Sequence, residues 1–185
     1  MATAVVAERY AGFSSESDDK KGFLTRMMKT VSRRVHFDGE KQPCTIIVGM
    51  DVPAANWEEA VRATGAMLVK AGVAEERYIP AMIDVVKQLG PYIVLAPGVA
   101  LPHAGCDKGA LQVGVAVARL ANPVEFGSEY NDPVKVVIAF CTPDPKGHIN
   151  MLRRIALVLG NDKTLQQLHN ATSGKEISDL LVNAA

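Results

Sequence analysis

Two histidines each follow an apolar segment, at points where a strand is expected to end. The stretch PYIVLAPGVALPHAGC (91–106) begins as an apolar strand and ends in a loop, in which His103 follows Pro97-Gly98 and Pro102. The apolar run VKVVIAFCT (134–142) is followed by the loop PDPKG and then by His148. Loops at strand ends often carry the chemistry of α/β domains, and a neutral imidazole nitrogen can serve there as nucleophile, base or ligand. A purely structural role stays open for each histidine on its own.

The segment HINMLRRIALVLG (148–160) predicts a helix that opens at His148. Free backbone N–H groups and the helix dipole at such a position favour an anion. If the two apolar strands are neighbours, His103 and His148 could meet beside that helix N-terminus. Such a site suits a phosphate, which one histidine could carry while the other donates a hydrogen bond to it.

Other chemistries fit these residues less well. The chain contains no GxSxG elbow, no GxxxxGK[ST] loop and no CxxC or HExxH spacing. Cys106 stands three residues after His103 and could in principle pair with it, although a packed bystander thiol is favoured. Metal binding by His103 and His148 lacks a visible third ligand. We expect His36 at the surface of a basic segment, and His169 on a polar helix.

The composition indicates one soluble globular domain. The chain has 185 residues, of which 48% are hydrophobic and 22% charged, and it contains no apolar run long enough to span a membrane. The N-terminus lacks the features of a secretory signal. Three cysteines without paired spacing are typical of reduced thiols, so a cytoplasmic location is expected. The net charge of zero provides no overall field that would favour nucleic acid.

The apolar patterns predict an α/β fold with a layered, mixed β-sheet rather than a strict βαβ alternation. Residues 44–52 could form a strand or lead into one, and 92–96 is expected to be an interior strand because it is apolar throughout. Capping-box spacing at Asn56 and Glu59, and again at Ser173 and Glu176, marks two helix starts. The further strands are expected at 111–120 and 134–142, and helices at 56–72, 75–90, 148–160, 162–171 and 173–183.

The first part of the chain differs from the rest in charge. Residues 1–19 hold one basic and four acidic side chains, whereas residues 20–41 hold seven basic and two acidic ones. The stretch GFLTRMMKTVSRRVHF (22–37) is predicted to form a basic amphipathic helix. It could dock on its own domain or on a subunit partner, bind a membrane surface or an anionic partner, or be disordered.

Several stretches together resemble a known family. LGPYIVLAPGVALPHA (89–104) and FCTPDPKGHINMLRRIALVL (140–159) are similar to the enzyme IIA domain of the mannitol/fructose-type phosphotransferase system. The resemblance is closest to the L-ascorbate-specific branch, and it covers roughly residues 46–183. Supporting segments in the same order are NWEEAVRATGAMLVKAG, NPVEFG, NDPVKVVI and LQQLHNATSGKEISDLL. On this basis, residues 1–43 are expected to be an N-terminal extension and residues 44–185 the enzyme IIA domain.

The resemblance implies a phosphocarrier without cofactor or metal. His103 would accept a phosphoryl group from phospho-HPr and pass it to a cysteine of enzyme IIB, while His148 would orient and stabilise that group. The membrane enzyme IIC would be an indirect partner, nucleic acid none, and the transported sugar L-ascorbate. The family fold is a mixed sheet flanked by helices on both faces. A homodimer is a further expectation, based on the apolar composition.

Two alternatives differ in class from a transport component. The N-terminal extension is compatible with a regulatory or protein-binding module of the same fold that has no transport role. A structural relative without phosphorylation, of the kind found in the cytoplasmic part of anion exchangers, is disfavoured because it would not call for both histidines.

Overall fold

The strand nearest the N-terminus replaces a predicted helix. The computed structural model describes residues 29–37 and 42–183, so residues 22–28 of that predicted helix lie outside it. Strand β1 (Lys29–Val35) pairs antiparallel with β2 (Cys44–Val52) along its whole length. Thr30, Ser32 and Arg34 are exposed, whereas the residues between them are half-buried or buried. The helix prediction is therefore wrong for these residues, because their alternation follows the period of two of a half-buried strand.

Among the described residues, the sheet has six strands in the order β1-β2-β5-β6-β4-β3. Its remaining strands are β3 (Val94–Ala96), β4 (Val99–Ala100), β5 (Gly114–Val124) and β6 (Val134–Cys141). The pairs β2–β5 and β4–β6 are parallel, whereas β1–β2, β5–β6 and β3–β4 are antiparallel. The predicted mixed sheet is confirmed.

The segment 92–96 is an edge strand, not the interior strand that its apolarity predicts. Pro91–Ile93 forms a short 3-10 turn, and β3 then runs for three residues before the chain reverses at Gly98, whose φ is +71°. Leu95 on this strand is 51% exposed. The apolar run therefore does not indicate burial on both faces, because Val94 and Ala96 are buried whereas Leu95 between them is exposed.

In the part of the chain that the structure describes, five helices cover the sheet. Both predicted capping boxes are present: Glu59 N donates to Asn56 Oδ1 at 2.9 Å, and Glu176 N donates to Ser173 Oγ at 3.3 Å. Within residues 29–37 and 42–183, no helix has the length and apolarity needed to cross a membrane. The helices are α1 (Trp57–Lys70), α2 (Tyr78–Leu89), α3 (Pro145–Leu159), α4 (Asp162–Asn170) and α5 (Gly174–Asn183).

The helices lie on both faces of the sheet, as the resemblance implies. One core joins α1 and α2 to small side chains of the central strands, such as Ala116 and Ala139. The opposite core joins α3, α4 and α5 to larger ones, such as Ile138 and Phe140. Successive residues of β6 point to opposite faces, so Phe140 faces the helices that follow it in the chain.

Candidate functional site

The topology brings His103 and His148 to the same end of the sheet. Strands β4 and β6 are parallel neighbours, with Val99 opposite Val136. Their carboxyl ends therefore lie side by side at one end of the sheet, where the chain leaves β4 towards His103 and leaves β6 towards α3. The centroids of the two imidazole rings lie 5.3 Å apart, with 54° between the ring planes. Both side chains are half-buried, so both can be reached from solvent.

Phe140 forms the floor beneath both imidazoles. Its ring is stacked on His103 with 4.9 Å between centroids and an interplanar angle of 24°, and it lies 5.0 Å from the ring of His148. The phenyl ring is fully buried. Sequence reasoning did not single out this residue, although the alternation along β6 already placed it on the face that α3 covers.

One ring nitrogen of His103 is hydrogen-bonded to the backbone. Its Nδ1 lies 2.9 Å from the carbonyl oxygen of Leu101. A carbonyl oxygen can only accept, so Nδ1 carries the ring proton and Nε2 holds the lone pair in the neutral imidazole. Leu101 is itself fixed, because it is buried and its N–H donates to the carbonyl of Ile93 at 2.8 Å. The backbone therefore selects the tautomer whose Nε2 is nucleophilic.

Both imidazoles favour the neutral form. Burial lowers the pKa of His103 below its ordinary value of 6.5, and the hydrogen bond to Leu101 opposes this effect only in part. Burial also lowers the pKa of His148, and the neighbouring His103 lowers it further. At neutral pH the site therefore offers an uncharged nucleophilic nitrogen on His103 beside an uncharged imidazole on His148.

Helix α3 begins earlier than the sequence suggests. Asp144 is its N-cap and Pro145 its first residue, so the prediction that His148 opens the helix is wrong. The Asp144 carboxylate accepts from Gly147 N at 2.9 Å, and the Asp144 carbonyl accepts from His148 N at 3.1 Å. These two backbone donors are therefore occupied, and the acidic N-cap takes the place at the helix end that was expected for an anion. What faces His103 is the imidazole of His148, one turn into the helix.

The other candidate side chains lie apart from this pair or do not join it. His36 is exposed next to β1. His169 on α4 reaches the β3–β4 turn, where its Nε2 lies 2.8 Å from the carbonyl of Pro97. Cys106 is a free, half-buried thiol in the short 3-10 turn Cys106–Lys108. Across residues 29–37 and 42–183, no group of three or more histidine, cysteine, aspartate or glutamate side chains is placed to hold a metal ion.

Comparisons with known proteins agree on one family. The family model described as "Phosphoenolpyruvate-dependent sugar phosphotransferase system, EIIA 2" matches residues 43–184. A curated relative from Shigella boydii, named ascorbate-specific PTS system EIIA component, is 35% identical over 141 residues, which are 75% of this chain and 92% of the relative.

Solved structures give the same result. The solution structure of the mannitol-specific cryptic phosphotransferase enzyme IIA CmtB from Escherichia coli is 32% identical, with a TM-score of 0.65 over 72% of this chain and 90% of that one. The complex of enzyme IIAMTL with phosphorylated enzyme IIBMTL from Escherichia coli matches at 30% identity and a TM-score of 0.60, over 70% and 89% of the chains. The chain therefore belongs to the EIIA type 2 family of the phosphoenolpyruvate-dependent sugar phosphotransferase system, and it is a phosphotransferase carrier component.

Proposed function

We propose that His103 accepts a phosphoryl group from phospho-HPr on Nε2 and passes it to a cysteine of enzyme IIB. The observation that carries this proposal is the hydrogen bond between His103 Nδ1 and the Leu101 carbonyl, which leaves Nε2 as the nucleophilic nitrogen. The adjacent imidazole of His148 supports the same assignment, because a transferred phosphoryl group needs a hydrogen-bond donor close to its oxygens.

The chemistry of the step balances without an added proton. The Nε2 lone pair attacks phosphorus, and the bond between phosphorus and the donor nitrogen of HPr breaks with its electron pair returning to that nitrogen. The His103 ring then carries a positive charge, which the Leu101 carbonyl stabilises through Nδ1–H. When the enzyme IIB thiolate attacks phosphorus, the pair returns to Nε2 and a neutral imidazole leaves. The protein therefore contributes positioning and charge stabilisation, as phosphoryl transfer requires.

His148 has the complementary role of hydrogen-bond donor to the phosphoryl oxygens. A neutral histidine has one ring N–H, and the negative charge of the phosphoryl oxygens would raise the pKa of His148 towards a form with two donors. Loss of this donor should slow transfer and shorten the lifetime of the phosphohistidine. It should not abolish phosphorylation, since the nucleophile is on His103.

The relatives support particular partners and a particular sugar. The complex of IIAMTL with phosphorylated IIBMTL supports an enzyme IIB as the acceptor. The proposal adds enzyme IIC as an indirect partner in the membrane. The ascorbate-specific relatives support L-ascorbate as the transported sugar. Ile149, next to His148, is 59% exposed and offers an apolar contact to either docking protein. Cys44, Cys106 and Cys141 are all free, which is typical of a reducing compartment, so the proposal includes a cytoplasmic location.

The test is phosphorylation of the full chain by phosphoenolpyruvate, enzyme I and HPr, followed by intact mass at a pH that preserves phosphohistidine. The expected result is one phosphate on the wild-type protein and none on His103→Ala. His36→Ala is the matched control, because that histidine is exposed and should not affect labelling. His148→Gln should label more slowly. Full labelling of His103→Ala would overturn the assignment.

A second stage identifies the acceptor. The phosphorylated protein is mixed with the enzyme IIB of an L-ascorbate system and, separately, with that of a mannitol system. Faster loss of phosphate to the first supports the ascorbate assignment, and faster loss to the second contradicts it. If active donors of more than one origin leave the folded wild-type protein unlabelled, the carrier role fails. A regulatory or protein-binding role without transport then becomes the better explanation.

A further inference from the structure

A single buried hydroxyl joins the backbone around His103 to strand β6. Tyr78, the first residue of α2, is 1% exposed. Its hydroxyl oxygen lies 2.9 Å from the Phe140 carbonyl, 3.0 Å from the Ala104 carbonyl and 3.1 Å from the Ala104 nitrogen. Burial raises the pKa of Tyr78, so the phenol keeps its proton at physiological pH. It accepts from the Ala104 N–H and donates to one of the two carbonyls at a time.

The hydroxyl lies where a β-ladder has ended. Strand β4 pairs with β6 only as far as Ala100 opposite Val137, but β6 continues to Cys141. Beyond that point the chain leading to His103 has no ladder to hold it against β6. The Tyr78 hydroxyl bridges this gap, because it bonds both to the Phe140 carbonyl of β6 and to Ala104 in the departing segment.

Hydrogen bonds fix the chain on both sides of His103 in the sequence. On the preceding side, its Nδ1 is held by the Leu101 carbonyl. On the following side, the Tyr78 hydroxyl holds both polar backbone groups of the adjacent Ala104. The same hydroxyl bonds the backbone of Phe140, whose ring is stacked on the imidazole. Tyr78 therefore sets the position of the histidine backbone relative to the ring beneath it.

We propose that Tyr78 is a positioning residue for phosphoryl transfer at His103, acting through its hydroxyl on the backbone of Ala104 and Phe140. This inference rests on the proposed function of His103. The residue touches neither the phosphoryl group nor a partner, since it is buried in the core.

The test variant is Tyr78→Phe, which keeps the ring and removes only the hydroxyl. The rate constant for transfer from phospho-HPr should fall about tenfold or more, because displacements of about 1 Å can cost on the order of 100-fold in rate. The KM for phospho-HPr should stay unchanged, because the docking surface is not altered. In NMR spectra, the His103 ring nitrogens should shift, and the Ala104 amide should exchange faster with solvent.

Two control variants separate positioning from a loss of stability. Thr64→Val removes another buried hydroxyl, which donates to the Ala60 carbonyl within α1 at 2.7 Å. It should lower the melting temperature without slowing transfer. Tyr130→Phe removes a phenol that is 83% exposed and should change neither property. The two variants are compared at a temperature where the same fraction of each is folded. If Tyr78→Phe then slows transfer no more than Thr64→Val does, Tyr78 has only a structural role and the inference is wrong.

A second route leaves Tyr78 in place. An ester at position 104, made by incorporating lactic acid in place of Ala104, removes the N–H that donates to the hydroxyl. The inference predicts slower transfer for this protein, and a wild-type rate would overturn it even if Tyr78→Phe failed to fold. Failure of the proposed function is recognised separately, as labelling that survives in His103→Ala. In Tyr78→Phe, the His103 NMR signals and the Ala104 amide exchange rate test whether the hydroxyl holds this backbone, independently of any transfer assay.

Discussion

Replacing Phe140 by leucine should loosen both histidines while leaving an apolar side chain in the core. The phenyl ring is fully buried, and its centroid lies 4.9 Å from that of His103 and 5.0 Å from that of His148. An aromatic pair contributes about 0.5–1.5 kcal/mol beyond the burial of its area. Loss of two such pairs should therefore lower the free energy of unfolding by about 1–3 kcal/mol. Transfer from phospho-HPr should slow as well, because the imidazoles lose the surface that orients them.

The assay combines denaturant unfolding with rapid-quench phosphorylation. Phe126→Leu is the matched control, because Phe126 is 6% exposed and belongs to the core on the other face of the sheet. The control should lose stability but keep the transfer rate, whereas Phe140→Leu should lose both. If Phe140→Leu transfers phosphate at the wild-type rate, the stacked ring does not orient the nucleophile and this reasoning is refuted.

Three further predictions concern pH, the packing of Phe37 after β1 against Arg154 of α3, and a helix cap. Phosphorylation should slow as the pH falls below 6.5, because protonation removes the His103 lone pair. The pKa of His103 in the folded protein lies below 6.5, so the unfolded chain binds this proton first and the free energy of unfolding should also fall in that range. Unfolding titrations of His103→Ala should show a weaker pH dependence. Phe37→Ala should cost about 3 kcal/mol in denaturant unfolding, because this buried ring carries the Arg154 guanidinium at 3.8 Å; wild-type stability would contradict that packing. Asn56→Ala should cost about 1 kcal/mol by removing the hydrogen bond to Glu59 N, and an unchanged melting temperature would count against the cap.

The pairing of the two histidines could be anticipated because it depends on local signals. Each histidine follows an apolar strand, and parallel neighbours present their carboxyl ends at the same edge of a sheet. The helix caps at Asn56 and Ser173 were likewise visible as short spacings. Such features need only a few consecutive residues, so a sequence read without a structure can locate them.

The missed features depend on contacts between distant residues. The residues of β1 fit a helix or a strand, and only their pairing with β2 decides between the two. Tyr78 reads as an ordinary core residue of a helix, because its hydroxyl partners are 26 and 62 positions away. The start of α3 is hidden in a segment whose prolines and glycine are typical of a loop, although an aspartate followed by a proline is a common way to begin a helix.

The most direct test of the central claim is to determine which nitrogen carries the phosphoryl group. The protein, labelled with ¹⁵N in its histidine rings, is phosphorylated through HPr and observed by ¹⁵N and ³¹P NMR. We predict that phosphorus couples to Nε2 of His103 while Nδ1 keeps its proton, as its hydrogen bond to the Leu101 carbonyl requires. Coupling to Nδ1 of His103, or to a nitrogen of any other histidine, would contradict the account.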